Sequence, residues 1–284
     1  MEKEVAAINP QAAAPAGVCP NCGTELAGEY CYACGQRRIH HHLSLRGVIG
    51  DAVSHAADFA ELKTVHTATT LLTKPGRLTN DYIAGRRAAW ITPLKLYLTI
   101  FALTFFLYSA FKSVAIYDLG TLAETDRTGA LARTISEVSA RKHIAPDAFV
   151  ANVNARWHSY ATFSQIIYPL LFAAVLKLFY WRRRFIEHLI FSLHYQAMVF
   201  LITILAWPLY FVTGIAMSNR SAVLAIGVMV ILIAYLLLAL RAVYRQSWPV
   251  SSIKSVVLYG AYFVIYTAVT YGTLFAAMIV TARH

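Results

Sequence analysis

Five long apolar stretches, about 92–112, 160–181, 189–215, 221–241 and 255–281, constrain this chain more than any other feature. A helix crosses the hydrocarbon core of a bilayer with about twenty consecutive, mostly apolar residues. Each stretch meets that length. The expected fold is therefore an all-α polytopic membrane protein with a five-span bundle over 92–281. Composition agrees: of 284 residues 58% are hydrophobic and 14% charged, whereas a soluble domain carries about a quarter charged residues.

The formal charge of +11 fits either a nucleic-acid or a membrane partner, and its placement favours the membrane. Residues 1–88 are nearly balanced, with nine Lys and Arg against eight Asp and Glu. The excess lies beside the apolar runs. Arg86, Arg87, Arg182, Arg183, Arg184, Arg241, Arg245 and Lys254 flank alternate ends of the spans. The positive-inside rule assigns those ends to the cytoplasm. With an odd number of spans the N-terminus is cytosolic and the C-terminus extracytoplasmic, in a bacterial inner membrane. No specific nucleic acid is expected as a partner.

Residues 1–18 have a mixed-charge start, no apolar core and two prolines, which reads as a flexible tail rather than a secretory signal. All four cysteines fall in "CPNCGTELAGEYCYACGQ", residues 19–36. Cys19 and Cys22 form one C-x-x-C-G pattern, and Cys31 and Cys34 repeat it. Four thiolates complete the closed tetrahedral shell of structural zinc and leave no open position for catalysis. A redox dithiol would need only one pair. So short a ribbon cannot bury a core, so the metal must supply most of its folding energy. Reduced thiols belong in a reducing compartment, which agrees with the charge rule on independent grounds. The run Arg37, Arg38 and His40–His42 reads as a basic stretch facing lipid headgroups, with a second metal site as the competing reading.

Residues 43–88 connect ribbon and bundle as amphipathic cytosolic or interfacial helices. Apolar positions over 44–61 recur at helical spacing behind Ser44, a candidate N-cap. A second helix is expected over roughly 63–73, ending at Pro75 and Gly76, and a third in "LTNDYIAG". Trp90 stands where an interfacial anchor would. The extracytoplasmic loop 113–158 shows helical spacing around 127–143 and 147–157.

Three stretches together, "CPNCGTELAGEYCYACGQ", "TATTLLTKPGRLTNDYIAGRRAAWITPLKLYL" and "FIEHLIFSLHYQAM", resemble a bacterial family of membrane proteins, domain-of-unknown-function family 3667. The resemblance implies a zinc ribbon, an Arg-Arg approach to the membrane and a Glu-His helix, in that order. It implies no activity.

Ionisable groups inside a membrane are costly and therefore functional candidates. The chain gathers them in "EHLIFSLHYQ", where Glu187, His188, His194, Tyr195 and Gln196 begin the third span. Glu187 and His194 are seven apart, on one face but roughly 10 Å apart along the axis. His188, Ser192 and Tyr195 share another face. Neither arrangement has the i,i+4 spacing with which HExxH holds a metal. Two readings compete. In one, Glu187 pairs with a neighbouring arginine and the histidines satisfy buried carbonyls. In the other, the cluster floors a cytoplasm-facing cavity for a proton, ion or lipid headgroup. Tyr259, Tyr262, Tyr266, Thr270 and Thr273 line one side of the last span, as interhelical hydrogen-bonding groups or as the border of a path. Pro169 and Pro208 are expected to kink their helices.

No P-loop, Ser-His-Asp pattern, glycine-rich dinucleotide turn or HExxH occurs in the sequence. The leading expectation is a non-enzymatic scaffold, regulatory or auxiliary transport or envelope protein. Its zinc head would engage a protein partner, or the chain would form a homo-oligomer in the bilayer. A small transporter or lipid flippase using Glu187, His188 and His194 stands second, and a membrane enzyme acting on a lipid third.

Overall fold

The computed structural model describes residues 17–38, 62–110, 118–212 and 219–283. Among these residues there are ten helices and no extended strand. The approach to the bundle consists of α1 (Leu62–Thr73) and α2 (Arg77–Ile83). The bundle begins with α3 (Pro93–Ala110). Then come α4 (Leu119–Thr125), α5 (Ala130–Lys142), α6 (Pro146–Ser164) and α7 (Ile167–Phe179). Three long helices follow, α8 (Phe185–Val212), α9 (Asn219–Tyr244) and α10 (Trp248–Arg283). The expected amphipathic helix over 44–61 and most of the tail at 1–18 lie outside the described residues.

Among the described residues three helices, α8, α9 and α10, are long and apolar enough to cross a membrane. The pair α6 and α7 passes the same test together, bent by 47° at its break, and α3 contributes a shorter apolar helix. The expected second span at 160–181 is thus two pieces that meet at Gln165 and Ile166. Proline chemistry explains the break. Pro169 has no N–H to offer the carbonyl four residues earlier. That carbonyl belongs to Gln165, and it accepts the Tyr97 hydroxyl of α3 at 2.8 Å. Lipid supplies no donor for a freed backbone group, so a neighbouring helix must do so.

Burial ranks the long helices. The most apolar stretch of α8 is 61% buried within the protein, against 28% for α9 and 11% for α10. The helix carrying the polar cluster is therefore central, and α10 leaves most of its apolar surface uncovered by the described residues. Leu96, Phe172, Leu176, Phe191, Tyr195, Leu236 and Leu258 belong to the main core, which joins α3, α7, α8, α9 and α10.

The 36 residues of α10 extend roughly 54 Å at 1.5 Å per residue, well beyond an apolar core of about 30 Å. Its far end carries a second core. Leu119, Ile135, Phe149, Val153 and Trp157 from α4, α5 and α6 pack there with Leu274 and Ala277. The indole of Trp157 donates to the Thr270 carbonyl at 3.3 Å. The described part of the loop expected at 113–158, from residue 118 on, is thus a small helical layer seated on the end of α10. Asp126 shapes its turn, accepting the Leu131 amide at 2.9 Å and the amide and hydroxyl of Thr128 at 2.9 and 2.7 Å. The Leu131 amide, followed by Thr128, holds its carboxyl below the usual carboxylate value.

At the opposite end α2 presses against α9. Gly76 takes a left-handed φ of 78°, open to glycine at little cost. A Cβ there would meet the Ala242 Cβ at 2.8 Å and the Ala239 carbonyl oxygen at 3.1 Å. The KPG break expected from sequence is therefore also a close contact between helices.

Candidate functional site

Two knuckles of the same design build the N-terminal head. In each, the amide of the glycine after the second cysteine donates to the carbonyl of the first cysteine. Gly23 reaches Cys19 at 2.9 Å, and Gly35 reaches Cys31 at 2.8 Å. Both glycines sit at positive φ, 78° and 71°. Isolated antiparallel bridges, Val18 with Glu25 and Tyr30 with Arg37, close the two hairpins. The four cysteines are not joined in disulfides. Their sulfurs all lie within 4.8 Å of one another, with Cys19 and Cys34 at 3.7 Å and Cys22 and Cys31 at 3.5 Å. Such a donor set could hold a metal ion.

The head is fastened to the approach segment by one side chain. Gln36 Nε2 donates to the Gly85 carbonyl at 2.8 Å. Its Oε1 accepts the amides of Arg87 and Ala88 at 2.9 and 3.0 Å. Sequence reasoning missed this contact, because nothing local marks a glutamine as a bracket between segments some fifty residues apart. The other side of the head is open: Tyr30 and Tyr32 are 62% and 78% exposed.

The polar cluster of α8 is packed. Arg183 pairs with Glu187 at 3.1 Å and donates to the Val243 carbonyl at 3.1 Å. His188 Nδ1 lies 2.7 Å from the Tyr244 hydroxyl, and His194 Nδ1 lies 2.9 Å from the Thr79 hydroxyl. The arginine pairing expected for Glu187 is present. These two histidine contacts are to hydroxyls of α9 and α2. Gln196 Oε1 accepts the Tyr262 hydroxyl at 2.8 Å, while Tyr195 packs against the rings of Phe172 and Tyr262. The space beside His194 and Tyr195 amounts to about 10 Å³, enough for one water at most. The tyrosines of α10 serve as interhelical contacts: besides Tyr262, Tyr266 stacks on Tyr168, whose hydroxyl lies 3.3 Å from that of Thr270.

Open space lies beside this cluster, at the end where α2, the start of α8 and the end of α9 converge. A cleft of about 580 Å³ is bordered by Arg77, Arg86, Arg183 and Arg245, with Asn80 and Asp81 between them. Asp81 accepts Arg86 at 2.6 Å and the Trp90 indole at 3.2 Å, and faces Arg77 at 3.6 Å. The Trp90 ring stacks on His66 at 5.0 Å between centroids. The basic residues expected to orient the protein lie around this end. Arg87 sits over Tyr82 at 4.1 Å, Arg182 over Trp181 at 5.2 Å and Arg241 over Trp248 at 4.0 Å. Arg184 lies in the turn before α8, its carbonyl accepting the Glu187 amide at 3.0 Å. Arg77 escaped sequence reasoning, although its i,i+4 spacing from Asp81 was a legible signal.

Comparison with known proteins adds a family without a known activity. No curated protein and no solved structure matches the chain. Residues 62–105, which carry α1, α2 and the first turns of α3, match the model of the family described as "Protein of unknown function (DUF3667)", so this segment bears out the family resemblance read from the sequence.

Proposed function

We propose that this chain is a non-enzymatic integral protein of the bacterial inner membrane, a scaffold or auxiliary component of transport or envelope assembly. A cytosolic zinc ribbon at its head engages a protein partner. The observation that carries this reading is the head itself. Its sulfur separations of 3.5 and 3.7 Å approach the roughly 3.8 Å edge of a tetrahedron with Zn–S bonds of about 2.3 Å. A closed shell of this kind offers structure and no vacant coordination position. Gln36 faces the membrane domain, while Tyr30 and Tyr32 face outward, and exposed tyrosines are favoured at protein interfaces.

In this reading α3, the bent pair α6–α7, α8, α9 and α10 make five spans. The arginine-rich end is cytosolic and Arg283 extracytoplasmic. A transporter working through Glu187, His188 and His194 would need a path that the packing around His194 does not provide.

The test is purification from membranes in mild detergent, with the zinc content and the associated proteins measured. One zinc per chain and a stoichiometric partner are expected. Tyr30→Ser together with Tyr32→Ser should release the partner and leave the zinc. A solitary wild-type monomer, or a double variant that fully restores a deletion strain, would overturn the proposal.

A further inference from the structure

The cleft at the basic end is built for a ligand, and its charges identify the ligand's chemistry. Four guanidinium groups border it, from Arg77, Arg86, Arg183 and Arg245. Among the described residues the acidic partners in reach are Asp81, which faces Arg77 and Arg86, and Glu187, which holds Arg183. Four positive charges thus face two negative ones. The two carboxylates and the Val243 carbonyl hold guanidinium groups in place, and fixed guanidinium forks favour bidentate recognition of phosphate oxygens. Arg245 is also held at a left-handed φ of 53° just after α9, a conformation unfavourable for a residue that carries a side chain. Glycine commonly occupies such a position after a helix. Here the chain keeps an arginine, at the border of the cleft.

We infer that this cleft binds a phosphate-bearing anion of at least two negative charges, gripped by Arg77, Arg86, Arg183 and Arg245. The volume of about 580 Å³ accommodates a diphosphate or the headgroup of an anionic lipid. Two sources can present this chemistry, a bilayer lipid with two phosphates or a soluble polyphosphate. The site lies apart from the thiolate head and does not depend on the function proposed for it.

The test uses the full chain in detergent with two probes, cardiolipin and inorganic pyrophosphate. Binding is read by native mass spectrometry for the lipid and by calorimetry for pyrophosphate. Arg77→Gln with Arg245→Gly removes the two guanidinium groups least involved in packing, and the glycine relieves the left-handed backbone. Without ligand the double variant should therefore melt no lower than wild type. It should bind its probe at least about tenfold more weakly, given the strength of charge-assisted hydrogen bonds. Arg141→Gln with Lys142→Gln, at the end of α5, removes the same charge elsewhere and should change nothing. A selective loss with cardiolipin assigns the site to lipid, and one with pyrophosphate to a soluble ligand. Equal binding by wild type and the cleft variant for both probes, or an equal loss in the α5 control, overturns the inference.

Discussion

The four thiols of the head are not equivalent. The hydroxyl and then the amide of Thr24 stabilise the Cys22 thiolate and bring it from an ordinary 9.0 down to about 6. The Gln36 amide pulls the Cys34 thiol down, but loss of solvent and the neighbouring sulfurs outweigh it and push it up to about 11. Thiolate absorbance of the metal-stripped chain should therefore rise in separated steps, the first near pH 6 and the last near pH 11. Cys22→Ser should delete the first step, and Thr24→Val should move it upward. The sign for folding follows: the depressed Cys22 contributes stability present in full above its ordinary value and lost as the pH falls through about 6. A single step near 9 would refute this assignment. The paired knuckles were legible because the C-x-x-C-G pattern is local, each being closed by its own glycine amide, whereas the roles of Thr24 and Gln36 were not.

The bend between α6 and α7 was harder to see. The mostly apolar run at 160–181 contains Thr162, Ser164 and Gln165 yet still registers as one span in a count of hydrophobic residues, while the interruption is a matter of a single missing N–H. Pro169 was the available signal, but its partner was not, because Tyr97 lies on another helix. If Tyr97 holds the freed carbonyl, Tyr97→Phe should cost about 1 kcal/mol in unfolding experiments in detergent. Pro169→Ala restores the donor, so the cost of Tyr97→Phe should shrink in that background. Additive effects in this double-mutant cycle would show that the hydroxyl and the bend are unrelated. The same limit applied to α8. Helical spacing arranges its polar residues by face, yet Thr79 and Tyr244 as histidine partners depend on how α2 and α9 fold back upon it.

For the protein as a unit, the decisive feature is the gathering of arginines from segments distant in sequence. Arg77 and Arg86 precede the bundle, Arg183 lies between α7 and α8, and Arg245 between α9 and α10. The convergence of Arg86, Arg183 and Arg245 at one end is what alternating spans would produce, and it was legible from charge placement, whereas Arg77 was not. The cleft they border was not, since it depends on the depth to which α2 is pressed against α9 at Gly76. If this end is cytosolic and the spans number five, a reporter fused after His284 should be active only outside the cytoplasm. The same reporter inserted at Gln246 should be active only inside. A C-terminal reporter active in the cytoplasm would reverse the topology.

Gln36 stands two positions beyond the last thiol, and its carboxamide ties down Gly85, Arg87 and Ala88 at once. If the sulfurs hold a metal ion, its removal or their oxidation would unmoor that carboxamide, and with it the turn next to Arg86. The state of the four thiols would thereby reach the rim of the cleft through three hydrogen bonds, with no moving domain required.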